Sequence, residues 1–246
     1  MAFGACAGMV AVMTDQNTLK RAVAAKALEY VQDGMKLGLG SGSTAEIFVE
    51  LLAQRVARGE KLQCVATSER TAALARKLGI GLTELNDLAP LDLTIDGADE
   101  ADHNLDVIKG GGGMLLREKI VAASSRRMIV IADESKLVAQ LGKYPLPVEV
   151  VEFGHRATAG RLAGAFHGLG YGAVPMTLRQ RDGATFHTDS GNVIYDCAFG
   201  AIADAAKLAA AIHATPGVVE HGLFIGMATT LLIAKTDAVE VIDRPA

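Results

Sequence analysis

Short apolar-rich runs at residues 35–39, 62–66, 91–95 and 128–132 recur along the first half of the chain, and the spaces between them are long enough for helices. The stretches at 44–56, 71–78 and 114–124 fill those spaces, the first with Ile47, Phe48, Leu51 and Leu52 at helical spacing. Parallel strands need crossovers of this length, and strands covered on both faces read as near-continuous apolar runs. The pattern predicts an α/β unit with a mostly parallel sheet. Another helix, begun near Asp15 or Asn17, sets Leu19, Val23, Ala27, Tyr30 and Val31 near one face and stops at Gly34.

The second half has a different rhythm. Pro145 and Pro147 interrupt any helix or central strand and mark a boundary. Beyond them the pattern reads strand 148–151, helix 157–166, strands 173–178 and 191–198, helix 202–213 and strand 217–221. That βαββαβ order is ferredoxin-like. Apolar strands at 223–242, turning at Thr236 and Asp237, return to the first sheet. The expected organisation is a large unit of residues 14–143 and 223–246 with a smaller α+β unit, 144–222, inserted in it.

Residues 1–13 are apolar, lack any basic residue before Lys20 and fall short of the ~20 residues that span a bilayer. They are expected to be a disordered extension, or to precede a start at Met13. Three cysteines far apart, Cys6, Cys64 and Cys197, provide neither a disulfide framework nor a CxxC pair, which suits a reducing cytoplasm. With 24 basic and 28 acidic residues the net charge is -4, so neither nucleic acid nor an acidic membrane is an expected partner. A small molecule is.

Three clusters carry chemistry. Gly38-Leu39-Gly40-Ser41-Gly42-Ser43-Thr44 joins a strand to a helix, where backbone N–H groups, hydroxyls and a helix N-terminus suit a phosphate. It is neither a Walker A loop, lacking the lysine, nor GxGxxG. An ordinary capped turn is the competing reading. Asp96-Gly97-Ala98-Asp99-Glu100 emerges from the apolar strand ending at Ile95, at the strand end where open α/β sheets bind ligands. Its carboxylates suit hydroxyl groups. They also suit plain turn chemistry, and no close pairing of histidines in the sequence supports a metal. Lys109-Gly110-Gly111-Gly112-Gly113 leads to Arg117-Glu118-Lys119 on a helix. Four glycines in a row imply backbone close to a ligand. Glu118, between two basic neighbours, fits an exposed ion-paired surface as well as a catalytic role.

Taken together, these clusters, with Ala132-Asp133-Glu134-Ser135-Lys136 and Gly142-Lys143-Tyr144-Pro145-Leu146-Pro147, resemble the type A ribose-5-phosphate isomerases from about Met13 to the C-terminus. The resemblance implies a Rossmann-like large domain, a smaller αβ domain, no metal and no cofactor, a phosphosugar substrate and a homodimer. It also implies aldose-ketose isomerisation in the pentose phosphate pathway. By the same resemblance Glu118 is the base, with Asp96, Asp99 and Lys109 beside it as catalytic groups. Ser41, Gly42, Ser43, Thr44, Asp96, Gly97, Ala98, Asp99, Lys109, Gly110, Gly111, Gly112 and Lys136 are substrate-binding. Lys20 matches a lysine that helps hold phosphate, and Ser41 stands where the family usually has threonine. Sugar-responsive repressors, coenzyme A transferases and glucosamine-phosphate deaminases are similar in fold. The short, sparsely basic segment before the first strand is not expected to hold a repressor's DNA-binding module.

Overall fold

The computed structural model describes residues 15–245; the expected extension at 1–13, with Cys6, lies outside them. In chain order come α1 (Gln16–Leu28), β1 (Lys36–Leu39), α2 (Ser43–Val56), β2 (Gln63–Ala66), α3 (Glu69–Lys77), the short α4 (Leu85–Leu88) and β3 (Leu93–Gly97). Two brief strands, β4 (Glu100–Ala101) and β5 (Val107–Ile108), precede α5 (Leu115–Ala123), β6 (Met128–Asp133) and a 3-10 turn at Glu134–Lys136. Then follow β7 (Leu146–Val150), α6 (His155–Gly168), β8 (Met176–Leu178), β9 (Gln180–Arg181), β10 (Ala184–Thr185), β11 (Val193–Cys197), α7 (Ala205–His213) and β12 (Val218–His221). The chain ends with β13 (Leu223–Phe224), β14 (Thr230–Ala234) and β15 (Val239–Asp243).

The main sheet runs β2-β1-β3-β6-β14-β15. Its first five strands are parallel and β15 is an antiparallel edge. The apolar runs explain this placement. All six residues of β6 are buried. Ile129 and Ile131 face one core with Leu39, Ile95 and Leu232, while Met128, Val130 and Ala132 face another with Leu231, Ile233 and Phe224. Each such aliphatic side chain contributes about 1.5–3 kcal/mol on burial. The chain winds from β1 to β2 on one side and then to β3 on the other. That reversal opens a crevice at the carboxyl ends of β1 and β3, the usual ligand position in open α/β sheets.

Residues after β6 build a second, antiparallel sheet in the order β12-β7-β11-β8, under α6 and α7. In a βαββαβ chain this is the ferredoxin-like arrangement. Proline here departs from expectation: Pro147 lies inside β7, an internal strand, paired with Asp196. Its missing donor falls just past the last β12 pair, His221 with Val148. There Gly222 N–H donates to the Pro147 carbonyl, and the Gly222 carbonyl accepts instead from Lys109 N–H at 2.9 Å. The substitution of donors stitches the second sheet to the loop that carries Lys109. A small sheet, β13-β5-β4, continues this junction.

Candidate active site

The crevice at the strand ends is a cleft of about 230 Å³. All three sequence clusters meet there, with Lys20, Gln16, Met114, Glu118, Asp133 and Lys136 also on its walls. Helix α2 opens at Ser43 with Gly42 as its N-cap at φ +96, and no side chain caps it. Only glycine adopts that backbone at little cost. The first intrahelical bond is Glu46 N–H to the Gly42 carbonyl, so the amides of Ser43, Thr44 and Ala45 have no helical partner. Lys20 Nζ donates to Ser43 Oγ at 3.0 Å, adding a cation to this end of the helix. A helix N-terminus with free amides and a lysine attracts an anion.

Ser41 departs from the expected use of its hydroxyl. It is buried, and its Oγ lies within 2.7–3.1 Å of the Thr67, Ser68 and Thr71 hydroxyls, turned from the cleft into a polar knot beneath it. Its backbone N–H instead donates to Asp96 Oδ1 at 3.0 Å. Gly40 serves the same carboxylate, because a Cβ there would overlap the Asp96 side chain.

Lys109 and Glu118 line the cleft, Asp96 does not but pairs with Lys109, and all three are buried. Asp96 is the next-to-last residue of β3, Lys109 follows β5 and Glu118 lies in the first turn of α5, so three segments of the chain converge here. Lys109 Nζ stands 3.0 Å from Asp96 Oδ2 and 3.4 Å from Glu118 Oε1, and donates to the Gly97 carbonyl at 2.7 Å. Burial pulls the ammonium's pKa down, but the charges of Asp96 and Glu118 outweigh it and hold the pKa above its ordinary value. Burial pushes both carboxyls up, Glu118 to about 8, with Lys109 opposing and Asp96 adding repulsion. Asp96 also accepts from the Ser41 and Gly97 amides at 3.0 and 2.7 Å, which favours its charged form. Glu118 has no such amide donors among the described residues, where its Oε2, like Asp96 Oδ2, is buried without a hydrogen-bond partner. Asp96 thus has more groups that favour its charged form than Glu118 has. The alternative of an exposed, ion-paired Glu118 is overturned.

The flanking charges point elsewhere. Arg117 pairs with Glu69 at 2.7 Å. Lys119 pairs with Glu220 at 2.7 Å and donates to the His221 carbonyl at 2.6 Å. Here the histidines, unpaired in sequence, do meet: the His213 and His221 rings lie 4.4 Å apart beside Glu220. The Lys119 ammonium stands among them, 3.3 Å from His221 Nδ1. Burial lowers the Lys119 pKa to about 8 and, with that ammonium adjacent, the His221 pKa to about 3.

Asp99 accepts from Gly111 N–H at 2.7 Å, and a Cβ at Gly111 would strike both Asp99 and the Tyr144 hydroxyl. Glu100 instead faces away, accepting from the Gly142 and Tyr144 amides at 2.8 and 2.6 Å. Lys136 reaches the cleft from the 3-10 turn, which Asp133 caps through Ser135 N–H at 3.0 Å. Gln16 and Asp133 were not expected here. Gln16 lies one helical turn before Lys20, and Asp133 ends a parallel strand, so both had a readable signal.

A model of the family described as ribose 5-phosphate isomerase A (phosphoriboisomerase A) matches residues 63–238. Ribose-5-phosphate isomerase A of Rhodopseudomonas palustris is 56% identical over 230 residues, covering 94% of this chain and 99% of the relative. Among solved structures, ribose 5-phosphate isomerase from Plasmodium falciparum is similar with a TM-score of 0.89 at 40% identity, over 94% of this chain and 100% of that one. A D-ribose-5-phosphate isomerase in complex with phospho-erythronic acid gives 0.88 at 33% identity, again over 94% and 100%.

Proposed function

This chain belongs to the ribose-5-phosphate isomerase A family and interconverts ribose 5-phosphate and ribulose 5-phosphate in the pentose phosphate pathway; from that premise we propose that Glu118 carries the proton between C2 and C1 of the sugar. The observation that carries this assignment is that Glu118, unlike Asp96, lines the cleft beside Lys109 while its buried Oε2 has no protein partner among the described residues. Removing the C2 proton leaves an enediolate; returning that proton to C1, with the C2 hydroxyl proton passing to the C1 oxygen, completes the aldose-to-ketose change. One carboxylate on one face of the sugar suffices for both transfers. As the proton leaves, negative charge grows on the carbonyl oxygen. Lys109, tied to Asp96 and the Gly97 carbonyl, provides a fixed cation for that charge, and the glycine-loop amides provide donors.

The phosphate end is assigned to the α2 N-terminus, through the Ser43 and Thr44 amides and hydroxyls with Lys20 and Lys136. Asp99 is assigned to the sugar hydroxyls and to ring opening. The phospho-erythronic acid bound by a relative joins a phosphate to a carboxylate, the two negative ends such a site must hold. Binding at the remote phosphate fixes C1 and C2 against Glu118. Residues 14–143 with 223–246 are read as the catalytic domain and 144–222 as the smaller one. A homodimer in the cytoplasm is the expected state; the resemblance supports the former, and the free, buried Cys64 and Cys197 suit the latter. No helix among the described residues is long and apolar enough to cross a membrane.

Glu118→Gln tests the assignment. The variant is expected to fold and to lose about 10³-fold or more in kcat, within the range of general acid–base effects and their associated losses. Turnover within tenfold of the parent enzyme contradicts Glu118 as base.

A further inference from the structure

Arg179 lies outside the cleft, directly after β8, yet its guanidinium holds the far side of the glycine loop. Its Nη1 donates to the Gly110 carbonyl at 2.7 Å and the Gly111 carbonyl at 3.2 Å. The other edge of the fork is paired with Asp196, with Nε to Oδ2 at 2.9 Å and Nη2 to Oδ1 at 2.5 Å. Asp196 comes from β11 of the antiparallel sheet and Arg179 from the residue after β8, and Arg179 is largely buried. Arg181, two residues on, makes a longer contact of 3.5 Å to the Gly112 carbonyl.

A trans peptide points its C=O and N–H in opposite directions. The Gly110 carbonyl also accepts from Gly113 N–H at 3.0 Å, and fixing it and the Gly111 carbonyl to a cation on one side keeps the next two N–H groups turned to the other. The Gly111 N–H meets Asp99 at 2.7 Å. The Gly112 N–H follows the carbonyl held at 3.2 Å, and Gly112 forms part of the cleft wall. Among the described residues this N–H has no protein acceptor. The loop tolerates the arrangement because Gly110 and Gly113 sit at φ +108 and +90. The cation also polarises the two peptide groups, strengthening their donors on the opposite side.

We propose that Arg179, braced by Asp196, is a positioning residue for isomerisation: it aims the Gly111 and Gly112 amides so that Gly111 fixes Asp99 and Gly112 donates to the oxygen that becomes negative in the enediolate. This rests on the reading that the glycine loop faces the reacting carbons. Arginine rather than lysine is required, because a single ammonium cannot span Asp196 and two successive carbonyls at once. The smaller sheet thus has a part in catalysis although it supplies no group that touches substrate.

The test compares Arg179→Ala and Arg179→Lys with the parent enzyme, measuring kcat and KM for ribose 5-phosphate, inhibition by phospho-erythronic acid, and thermal stability. Losing an aimed oxyanion donor lowers rates by about 10²–10³-fold, so a loss of roughly 30-fold or more in kcat is expected from a misaimed one, with KM changed by less than about threefold. Affinity for phospho-erythronic acid should fall with kcat, and millimolar guanidinium should restore part of the activity of Arg179→Ala. A merely structural role gives a lower melting temperature with neither inhibitor selectivity nor guanidinium rescue, and that result overturns the proposal. So does a kcat within twofold of the parent in either variant. If Arg179→Ala fails to fold, Arg179→Lys and Asp196→Asn decide by the same criteria. Glu118→Gln, run in parallel, keeps the two ideas apart: it should bind phospho-erythronic acid while failing to turn over. If it turns over, the base assignment fails while the Arg179 result stands by itself.

Discussion

Replacing Glu118 with glutamine should make the protein more stable as it makes it inactive, and the gain should depend on pH. Folding moves this carboxyl from an ordinary pKa of 4.5 to about 8. Between those values the folded state holds a proton that the unfolded chain has released, so this group costs increasing stability as pH rises. Above pH 8 the cost levels off. At about 1.4 kcal/mol per unit, the shift sets a ceiling of about 5 kcal/mol. Lys109 loses one of its two carboxylate neighbours in the variant, which offsets part of the gain, so about 1–3 kcal/mol is expected. For a chain of this size that raises the melting temperature by roughly 3–10 °C. The assay is thermal unfolding of Glu118→Gln and the parent enzyme at pH 5, 7 and 9. The two curves should nearly coincide at pH 5 and separate progressively to pH 9. A difference that does not change with pH would refute the argument that Glu118 is buried with a raised pKa.

The same ionisation governs activity in the opposite sense, because only the carboxylate accepts a proton. In the free enzyme kcat/KM should rise about tenfold per pH unit from pH 6 and level off near 8, and a profile flat over that range would show another group in control. Lys20→Ala combined with Ser43→Ala should raise KM about tenfold or more, corresponding to roughly 1.4 kcal/mol of lost anion binding, with a smaller effect on kcat. Inorganic phosphate should also lose its competitive inhibition in that double variant. Unchanged KM and phosphate inhibition would remove the α2 N-terminus from the account.

The main sheet was legible because its strands are buried on both faces and therefore spelled as unbroken apolar runs, β6 above all. The β13-β5-β4 sheet was not, since strands of two residues have no period to read. Pro147 misled for a physical reason: a proline breaks a ladder only where its donor is needed, and Lys109 supplies that donor from another part of the chain. The glycine and carboxylate clusters announced the site, but their division of labour depended on distance. Gly40 and the Ser41 amide support Asp96, whereas Gly42 opens the helix toward the cleft. Glu118 was ambiguous because Arg117 and Lys119 suggested a charged surface. Consecutive residues on a helix diverge by about 100°, so those neighbours said nothing about the face Glu118 occupies. His213 and His221 met across the turn between α7 and β12, a contact that spacing alone does not reveal. Arg179 gave no motif signal, for its importance lies in which carbonyls it reaches.

The most direct test of proton transfer by Glu118 is isomerisation in deuterium oxide, followed by NMR at C1 of ribulose 5-phosphate and C2 of ribose 5-phosphate. The parent enzyme should introduce solvent deuterium at both carbons as the reaction approaches and passes equilibrium, because an enediolate and a titratable carboxyl exchange with water. Glu118→Gln should lose this exchange together with turnover while still binding phospho-erythronic acid. Deuterium entering at the parent rate in Glu118→Gln would contradict the assignment.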